Sequence, residues 1–355
     1  LLQIKVKDIF LIPVYLFSIL MGSAVMAQAK PPRVVADNPV AFPVWLAEFK
    51  QEALGQGISE STLEQAFSGI NPDPKVIKLD RHQPEFTQTY AQYISKRLSE
   101  TRIRRGREKL SEEAALFKQV SNEIGVQPRF IASIWGMETN YGSFTGGYNV
   151  IQSLTTLAYD MRRPTYFRRE LLKALQILDE GHISPEEMKG SWAGAMGHGQ
   201  FMPSSFFGYA YDFDRDAKKD IWTNKGDVFA SIGNYLKKHG WRGDRTWGRE
   251  VKLPEDVDGL WQKVKNNKKI KSCRRSLRHH SKQMSLSEWQ ALGVRTKYGA
   301  DLPNVGERDF MASLVMPDGR DGPAYLTYRN FRALLSYNCS NSYALGVSLL
   351  SDQLQ

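Results

Sequence analysis

Between Val40 and about Val120 apolar residues recur at spacings of three and four, through Phe42, Trp45, Leu46 and Phe49 and again through Leu63 and Phe67. That period places them on one face of successive α-helices. The run Asn71-Pro72-Asp73-Pro74 is a turn signal between these helices and the next segment. The pattern predicts an all-helical N-terminal lobe over 36–120, followed by a second helix-rich stretch over 121–248 that holds nearly all of the candidate chemistry. Then the texture changes. Short apolar pieces, Ala312-Ser313-Leu314-Val315-Met316 and Ala324-Tyr325-Leu326-Thr327-Tyr328, are parted by Pro317-Asp318-Gly319 and Asp321-Gly322-Pro323. These are strand and turn signals, and a small β subdomain is expected over 249–328. Helical spacing returns in a C-terminal segment over 329–355. The expected fold class is mainly α (α+β).

The first residues read differently. Lys5 and Lys7 precede an apolar stretch from Ile9 to Val25 that ends in small residues at Ala27 and Ala29. This is the layout of a signal peptide over 1–29, cleaved after either alanine. The stretch is short for a membrane span and is interrupted by Pro13. No cysteine closes it, so a lipid-anchored product is not expected. The mature chain is expected to be exported, soluble and periplasmic. Its 355 residues, 41% of them hydrophobic, suffice for two or three subdomains around sizeable cores.

Cys273 and Cys339 are the only cysteines, which excludes a disulfide framework and a cysteine-based zinc ribbon. One bridge between them is compatible with an oxidising compartment, and sequence leaves it open. The net charge of +10 is concentrated: Lys263, Lys265, Lys268, Lys269, Lys271, Arg274, Arg275, Arg278 and Lys282 follow one another with no acid between them. In an exported protein such a run is either a solvated loop or a site of attraction for anionic envelope polymers, lipid headgroups or cell-wall enzymes. Nucleic acid is disfavoured as a partner, because no reading helix or aromatic platform accompanies the charge.

Pro128 suits the first turn of a helix, and Phe130, Ile131, Ile134 and Trp135 continue it toward a stop near Gly142. Glu138 lies four residues after Ile134 and seven after Ile131, on the buried stripe. Its helical neighbours Ile134, Trp135, Tyr141 and Gly142 include no cation. A carboxylate in such a place is paired from elsewhere in the fold, neutral, or functional, since desolvation disfavours its charge and favours the protonated form that a general acid needs. A second segment, Gly190-Ser191-Trp192-Ala193-Gly194-Ala195-Met196-Gly197-His198-Gly199-Gln200-Phe201-Met202-Pro203, combines small residues with neutral hydrogen-bonding groups. That composition suits close approach to a polar, uncharged sugar.

With Gly136-Met137-Glu138-Thr139-Asn140-Tyr141-Gly142 and the Gln200 segment together, the chain resembles the membrane-bound-lytic-transglycosylase-B-like branch of lytic murein transglycosylases. The resemblance implies a lysozyme-like helical catalytic core and a C-terminal segment that returns to it. It also implies that Glu138 is the sole catalytic acid and base. Ser191 and Gln200 would face the cleaved sugar, and Phe201 and Met202 would line the cleft. Tyr93, Tyr166 and Tyr235 match groove-lining positions, Arg162 and Arg163 would meet a peptide or lactyl carboxylate, and Tyr337, Asn338 and Tyr343 would return beside the glutamate.

Ordinary glycosidases use two carboxylates. Asp160, the nearest other candidate, has no catalytic counterpart in that family. A single acid suffices where the substrate supplies its own nucleophile, so the resemblance implies a lyase: the MurNAc-GlcNAc β-1,4 bond of peptidoglycan breaks and 1,6-anhydro-MurNAc forms. The rival readings are a hydrolytic muramidase and a non-catalytic peptidoglycan-binding scaffold. No cofactor is required for catalysis.

Asp212-Phe213-Asp214-Arg215-Asp216-Ala217-Lys218 opens like an EF-hand loop, with acids at every second position. Ala217 stands where that loop has glycine, and Thr223 where it has glutamate. The resembling family binds calcium here, which implies a structural Ca2+ held by Asp212, Asp214, Asp216, the carbonyl of Lys218, and Asp227.

Overall fold

The computed structural model describes residues 38–82, 88–303 and 310–355. The signal segment expected over 1–29 lies outside these residues. Asp37–Gln355 makes one compact unit. Among the described residues no helix is long and apolar enough to cross a membrane.

The N-terminal helices are α1 (Phe42–Gly55), α2 (Glu60–Ala66), α3 (Pro74–Arg81), α4 (Tyr90–Arg97), α5 (Glu100–Glu112) and α6 (Ala114–Ile124). Their starts are set by local chemistry: the Ser59, Asp73 and Ser99 side chains each accept from a backbone N–H of the first turn, and Thr89 with Gln92 forms a capping box. The next elements are α7 (Pro128–Thr139), β1 (Tyr148–Asn149), α8 (Val150–Tyr159), α9 (Pro164–Asp179), β2 (Lys189–Gly190), α10 (Pro203–Tyr209) and α11 (Lys225–Lys238).

The N-terminal helices divide their apolar faces between two cores. Trp45 and Phe49 of α1 and Leu63 of α2 join Ile151 and Leu154 of α8, Leu171 and Leu175 of α9, and Phe206 of α10. Phe117 and Val120 of α6 join instead Phe130, Ile131, Ile134 and Trp135 of α7 and Phe229 and Ile232 of α11. Phe117 stacks on Phe229 at 4.1 Å between ring centres. Each such fully buried side chain contributes roughly 1.5–3 kcal/mol relative to exposure, so α7 is held by its flanks and not by helix propensity.

The remaining elements are β3 (Gly248–Lys252), α12 (Val257–Val264), α13 (Arg274–Leu277), β4 (Met284–Ser285), α14 (Leu286–Ala291), β5 (Arg295–Thr296), β6 (Met311–Val315), β7 (Ala324–Thr327), α15 (Arg329–Tyr337) and α16 (Asn341–Gln353). The strands form an antiparallel sheet in the order β4-β6-β7-β3-β5, with Leu314 opposite Leu326 and Val251 opposite Ala324. A third core of Val251, Leu260, Val264, Trp289, Leu314 and Leu326 packs on this sheet. The sheet is tied to α4, whose first amides at Tyr90 and Ala91 donate to the Asp318 carboxylate at 3.0 Å.

After β7 the chain goes back to the helices. Phe331 and Leu334 of α15 and Leu345 and Val347 of α16 complete the core around α7. Gly346 permits the close approach there: a Cβ on it would lie 3.0 Å from Met137 Cε and 3.4 Å from Tyr93 Cε1, so the end of Met137 would have to shift. The bridge left open by sequence is formed, Cys273 to Cys339, with Cα atoms 5.1 Å apart.

Candidate active site

The two motifs meet because of glycine. Gly146 has φ +106°, and a Cβ on it would stand 2.0 Å from the Gly190 carbonyl oxygen. That absence of a side chain lets β1 and β2 pair, Tyr148 opposite Gly190, so the segment leaving α7 runs beside the second motif. Beyond α7, Asn140 and Tyr141 both adopt positive φ, at 51° and 61°, and Gln200 does so at 50°. A tyrosine in this region is strained, and such strain gathers at functional sites.

His198 joins the motifs a second time. Trp135 Nε1 of α7 donates to its Nδ1 at 2.9 Å, and Thr139 Oγ1 donates to its carbonyl oxygen at 3.1 Å. Its own amide donates to the Ile221 carbonyl at 2.9 Å. Burial lowers the pKa of this imidazole, keeping it neutral with Nδ1 as acceptor. Sequence reasoning did not single out His198; a histidine amid a run of small residues was the available signal.

Glu138 was expected on the buried stripe of α7, where Ile131 and Ile134 are indeed fully buried. Glu138 itself is half-buried, at the end of the helix. The Tyr343 hydroxyl of α16 donates to its Oε1 at 2.5 Å. Burial, and next the adjacent Glu138 charge, push the Tyr343 and Tyr337 hydroxyls well above the ordinary tyrosine range. Tyr93 is raised mainly by burial, with Arg97 opposing and Glu138 adding to the shift. The carboxylate thus sits among protonated phenols, of which Tyr343 donates to it.

The second motif is held by bonds to backbone. Gln200 Nε2 donates to the Thr145 and Gly197 carbonyls at 2.9 and 3.0 Å, and the Tyr337 hydroxyl donates to the Gly199 carbonyl at 2.6 Å. Ser191 Oγ accepts the Ala193 and Ala195 amides at 3.3 and 3.0 Å. The aromatic wall continues outward: Phe201 lies 5.9 Å from both Tyr235 and Tyr337, which are 4.6 Å apart. Tyr235 donates to the Ser336 carbonyl at 2.6 Å. Met202, half-buried, precedes α10. Asn338 is exposed in the turn between α15 and α16.

Arg162 and Arg163 share one buried partner. Both guanidinium groups reach Asp80 Oδ1 at 2.5 Å, and Asp80 is 1% exposed. Asp160 accepts Arg81 at 3.0 Å and the Arg162 amide at 3.1 Å. This cluster ties α3 to the junction of α8 and α9. Tyr166 is exposed on α9, with the Arg169 guanidinium 5.6 Å from its ring.

The acidic loop gathers three of its five expected ligands. Carboxylate oxygens of Asp212, Asp214 and Asp227 all lie within 4.8 Å of one another. Asp212 Oδ1 is buried without a hydrogen-bond partner. Asp227 accepts the Phe213 and Asp220 amides at 2.7 Å, yet burial pushes its pKa up to about 6, with Asp214 and Asp212 adding to the shift. An orphaned oxygen within a cluster of carboxylates fits a hard divalent cation. Asp216 turns to its own loop, accepting the Lys218 amide at 2.8 Å.

Residues 41–352 match the transglycosylase SLT domain. The membrane-bound lytic murein transglycosylase B of Escherichia coli (strain K12) is 35% identical over 226 residues, 63% of this chain and 55% of that protein. The chain thus spans little more than half the length of that relative. Among solved structures, SltB3 from Pseudomonas aeruginosa in complex with NAG-NAM-pentapeptide superposes with a TM-score of 0.81 at 43% identity, covering 88% of this chain and 79% of that one. The Escherichia coli lytic transglycosylase Slt35 in complex with calcium superposes with a TM-score of 0.70 at 25% identity, covering 87% and 92%. The mainly α, lysozyme-like fold class expected from sequence is the one shared with these structures.

Proposed function

Because the chain belongs to the transglycosylase SLT domain family, we propose that it is an exported, periplasmic peptidoglycan lytic transglycosylase in which Glu138 is the only general acid and base. The observation that carries this reading is the placement of Glu138: half-buried at a strained helix end, and hydrogen-bonded by Tyr343 at 2.5 Å. The structure of SltB3 with a NAG-NAM-pentapeptide supports the choice of substrate.

In the proposed reaction protonated Glu138 gives its proton to the glycosidic oxygen that links MurNAc to GlcNAc. The bond from that oxygen to the MurNAc anomeric carbon breaks, and the substrate's N-acetyl oxygen assists at that carbon. The Glu138 carboxylate then takes the proton of the MurNAc C6 hydroxyl, whose oxygen bonds to the anomeric carbon. A 1,6-anhydro ring closes, no water is consumed, and Glu138 is protonated again. Preorganised donors around the site cost no reorganisation during these steps.

Ser191, Gln200, Phe201, Met202, Tyr93, Tyr166, Tyr235, Tyr337, Asn338 and Tyr343 are proposed to line the glycan cleft, with Arg162 and Arg163 toward a peptide or lactyl carboxylate. With Gln200 Nε2 bound to two backbone carbonyls, its side-chain oxygen is proposed as the atom offered to the sugar. Asp212, Asp214 and Asp227, with Asp216 and the Lys218 carbonyl completing the shell, are proposed to hold a structural Ca2+. The ion's part is to neutralise this loop; it enters no chemical step.

Digesting purified sacculi and weighing the products tests the reading. Wild type is expected to release 1,6-anhydromuropeptides, one water lighter than hydrolysed ones, and Glu138→Gln to release none. A Glu138→Gln variant with wild-type turnover would end the assignment, and hydrated products would establish a muramidase instead.

A further inference from the structure

The basic run from Lys263 to Lys282 is not absorbed by the reaction above. Lys268, Lys269, Lys271, Arg274 and Arg278 are all exposed. Among the described residues, the ion pairs of this half of the molecule join other residues: Arg320 with Asp258, Lys297 with Glu250, Arg295 with Asp301. A dense positive charge is therefore presented to solvent.

Its attachment decides where that charge acts. The root of the arm is fixed on α12 and on the sheet, Lys282 N donating to the Val264 carbonyl of α12 at 2.8 Å and Ser281 N to the Leu314 carbonyl of β6 at 3.0 Å. Its tip is fixed on the turn between α15 and α16. Cys273 is bridged to Cys339, Ser276 Oγ donates to the Cys339 carbonyl at 2.5 Å, and Asn341 Nδ2 donates to the Ser276 carbonyl at 3.1 Å. His280 Nε2 pairs with Asn341 Oδ1 at 2.8 Å. Cys339 is two residues from Tyr337 and Asn341 is two from Tyr343, a chain distance of about 7 Å at most in each case. The arm is pinned to the same turn that carries the two tyrosines beside Glu138.

We propose that this disulfide-pinned basic arm is a docking surface for the carboxylates of short peptides borne on the glycan strand that occupies the cleft. The proposal rests on the lytic reading for the strand's identity. A strand held beside Tyr337 and Tyr343 brings its substituents near the turn between α15 and α16, to which the arm is pinned at Cys273 and Ser276; Arg274 and Arg278 flank Ser276 in the chain, and Lys268, Lys269 and Lys271 precede it. Long-range attraction between such a patch and carboxylates raises local concentration and association rate. A lipid surface fits less well: among the described residues the large exposed hydrophobic side chains are Val40, Val44, Phe144, Met161, Tyr166, Tyr298 and Met311, none of them in the arm, whereas membrane-surface segments combine basic with apolar residues.

Co-sedimentation of the full chain with sacculi, intact or enzymatically stripped of their peptides, tests this without relying on turnover. Wild type is expected to bind intact sacculi about tenfold better at low salt than at ~0.5 M salt, where the Debye length is a few ångströms. K268Q/K269Q/K271Q/R274Q/R278Q is expected to lose that advantage, to bind intact and stripped sacculi alike, and to cleave stripped strands at the wild-type rate. K268R/K269R/K271R, which keeps the charge, is expected to bind as wild type. Undiminished binding by the glutamine variant overturns the proposal, as does an equal loss on stripped sacculi or a preference for anionic phosphatidylglycerol vesicles over intact sacculi. If wild type docks on intact sacculi but cleaves none, the lytic reading fails and the docking surface stands.

Discussion

The Tyr343 hydroxyl donates to Glu138 Oε1 at 2.5 Å, across a sequence separation of 205 residues. It connects the last helix of the chain to the helix at the centre of the fold. Because burial and the Glu138 charge both hold the phenol protonated, Tyr343 is a fixed donor that orients the carboxylate. Tyr343→Phe is expected to reduce kcat by about tenfold with KM changed by less than about twofold, the signature of a lost transition-state interaction. Steady-state cleavage of purified strands measures both, and an unchanged kcat would show that Tyr343 only packs.

His198 and Trp135 make a coupled pair. His198→Phe leaves Trp135 Nε1 buried without its acceptor, at a cost of about 1–3 kcal/mol. Trp135→Phe removes the donor and also its packing. In a double-mutant cycle read by urea unfolding, the second substitution is expected to cost less in the presence of the first. Strict additivity would mean that the hydrogen bond contributes nothing to joining the motifs.

Calcium is expected to bind the acidic loop and raise Tm, and Asp212→Asn to abolish both effects. The pH dependence has a definite sign. Asp227 keeps its proton up to about 6, above the 3.8 of a free carboxyl, so between these values the folded chain holds more protons than the unfolded one. Stability without calcium therefore falls as pH rises through that window. Calcium needs the ionised form, so its Tm increment should be larger at pH 7 than at pH 5. Calorimetry showing no binding heat and no Tm change at either pH would exclude the ion.

His280 acts in the opposite sense. It is 1% exposed, and burial lowers its pKa from 6.5 to about 4, with Arg332 and His279 opposing the charged form and the Asn341 bond partly offsetting. Between these values the unfolded chain binds the extra proton, so stability is present above about 6.5 and is lost as pH falls toward 4. The contribution is on the order of 3 kcal/mol at neutral pH. His280→Gln is expected to flatten this slope in urea titrations done with calcium present, where the Asp227 effect is suppressed. A slope that persists in the variant would assign it to other groups.

Local spacing made much of the site legible. The position of Glu138 on α7, the small residues of the second motif and the acids at alternate positions of the loop lie within a few turns of chain, where periodicity and residue type suffice. Arg162 and Arg163 show the limit. Their sequence marks two exposed cations beside an expected groove, and only the fold shows that both pair with Asp80, more than eighty residues away. Likewise the N-terminal helices were readable as helices, while the division of their apolar faces between two cores depended on which later helices offered matching surfaces.

Sequence by itself determined the helical and strand periods, the separation of chemistry-bearing segments, and a carboxylate without a local cation, because these follow from residue order and side-chain type. Tertiary structure decided what that carboxylate meets. Closure of α16 onto α7 brings Tyr343 to Glu138, the Gly146–Gly190 approach pairs the motifs, and the Cys273–Cys339 bridge anchors the basic arm to the turn between α15 and α16. Each joins residues far apart in the chain, and no local propensity encodes them; they exist only because the apolar faces of distant helices share a core.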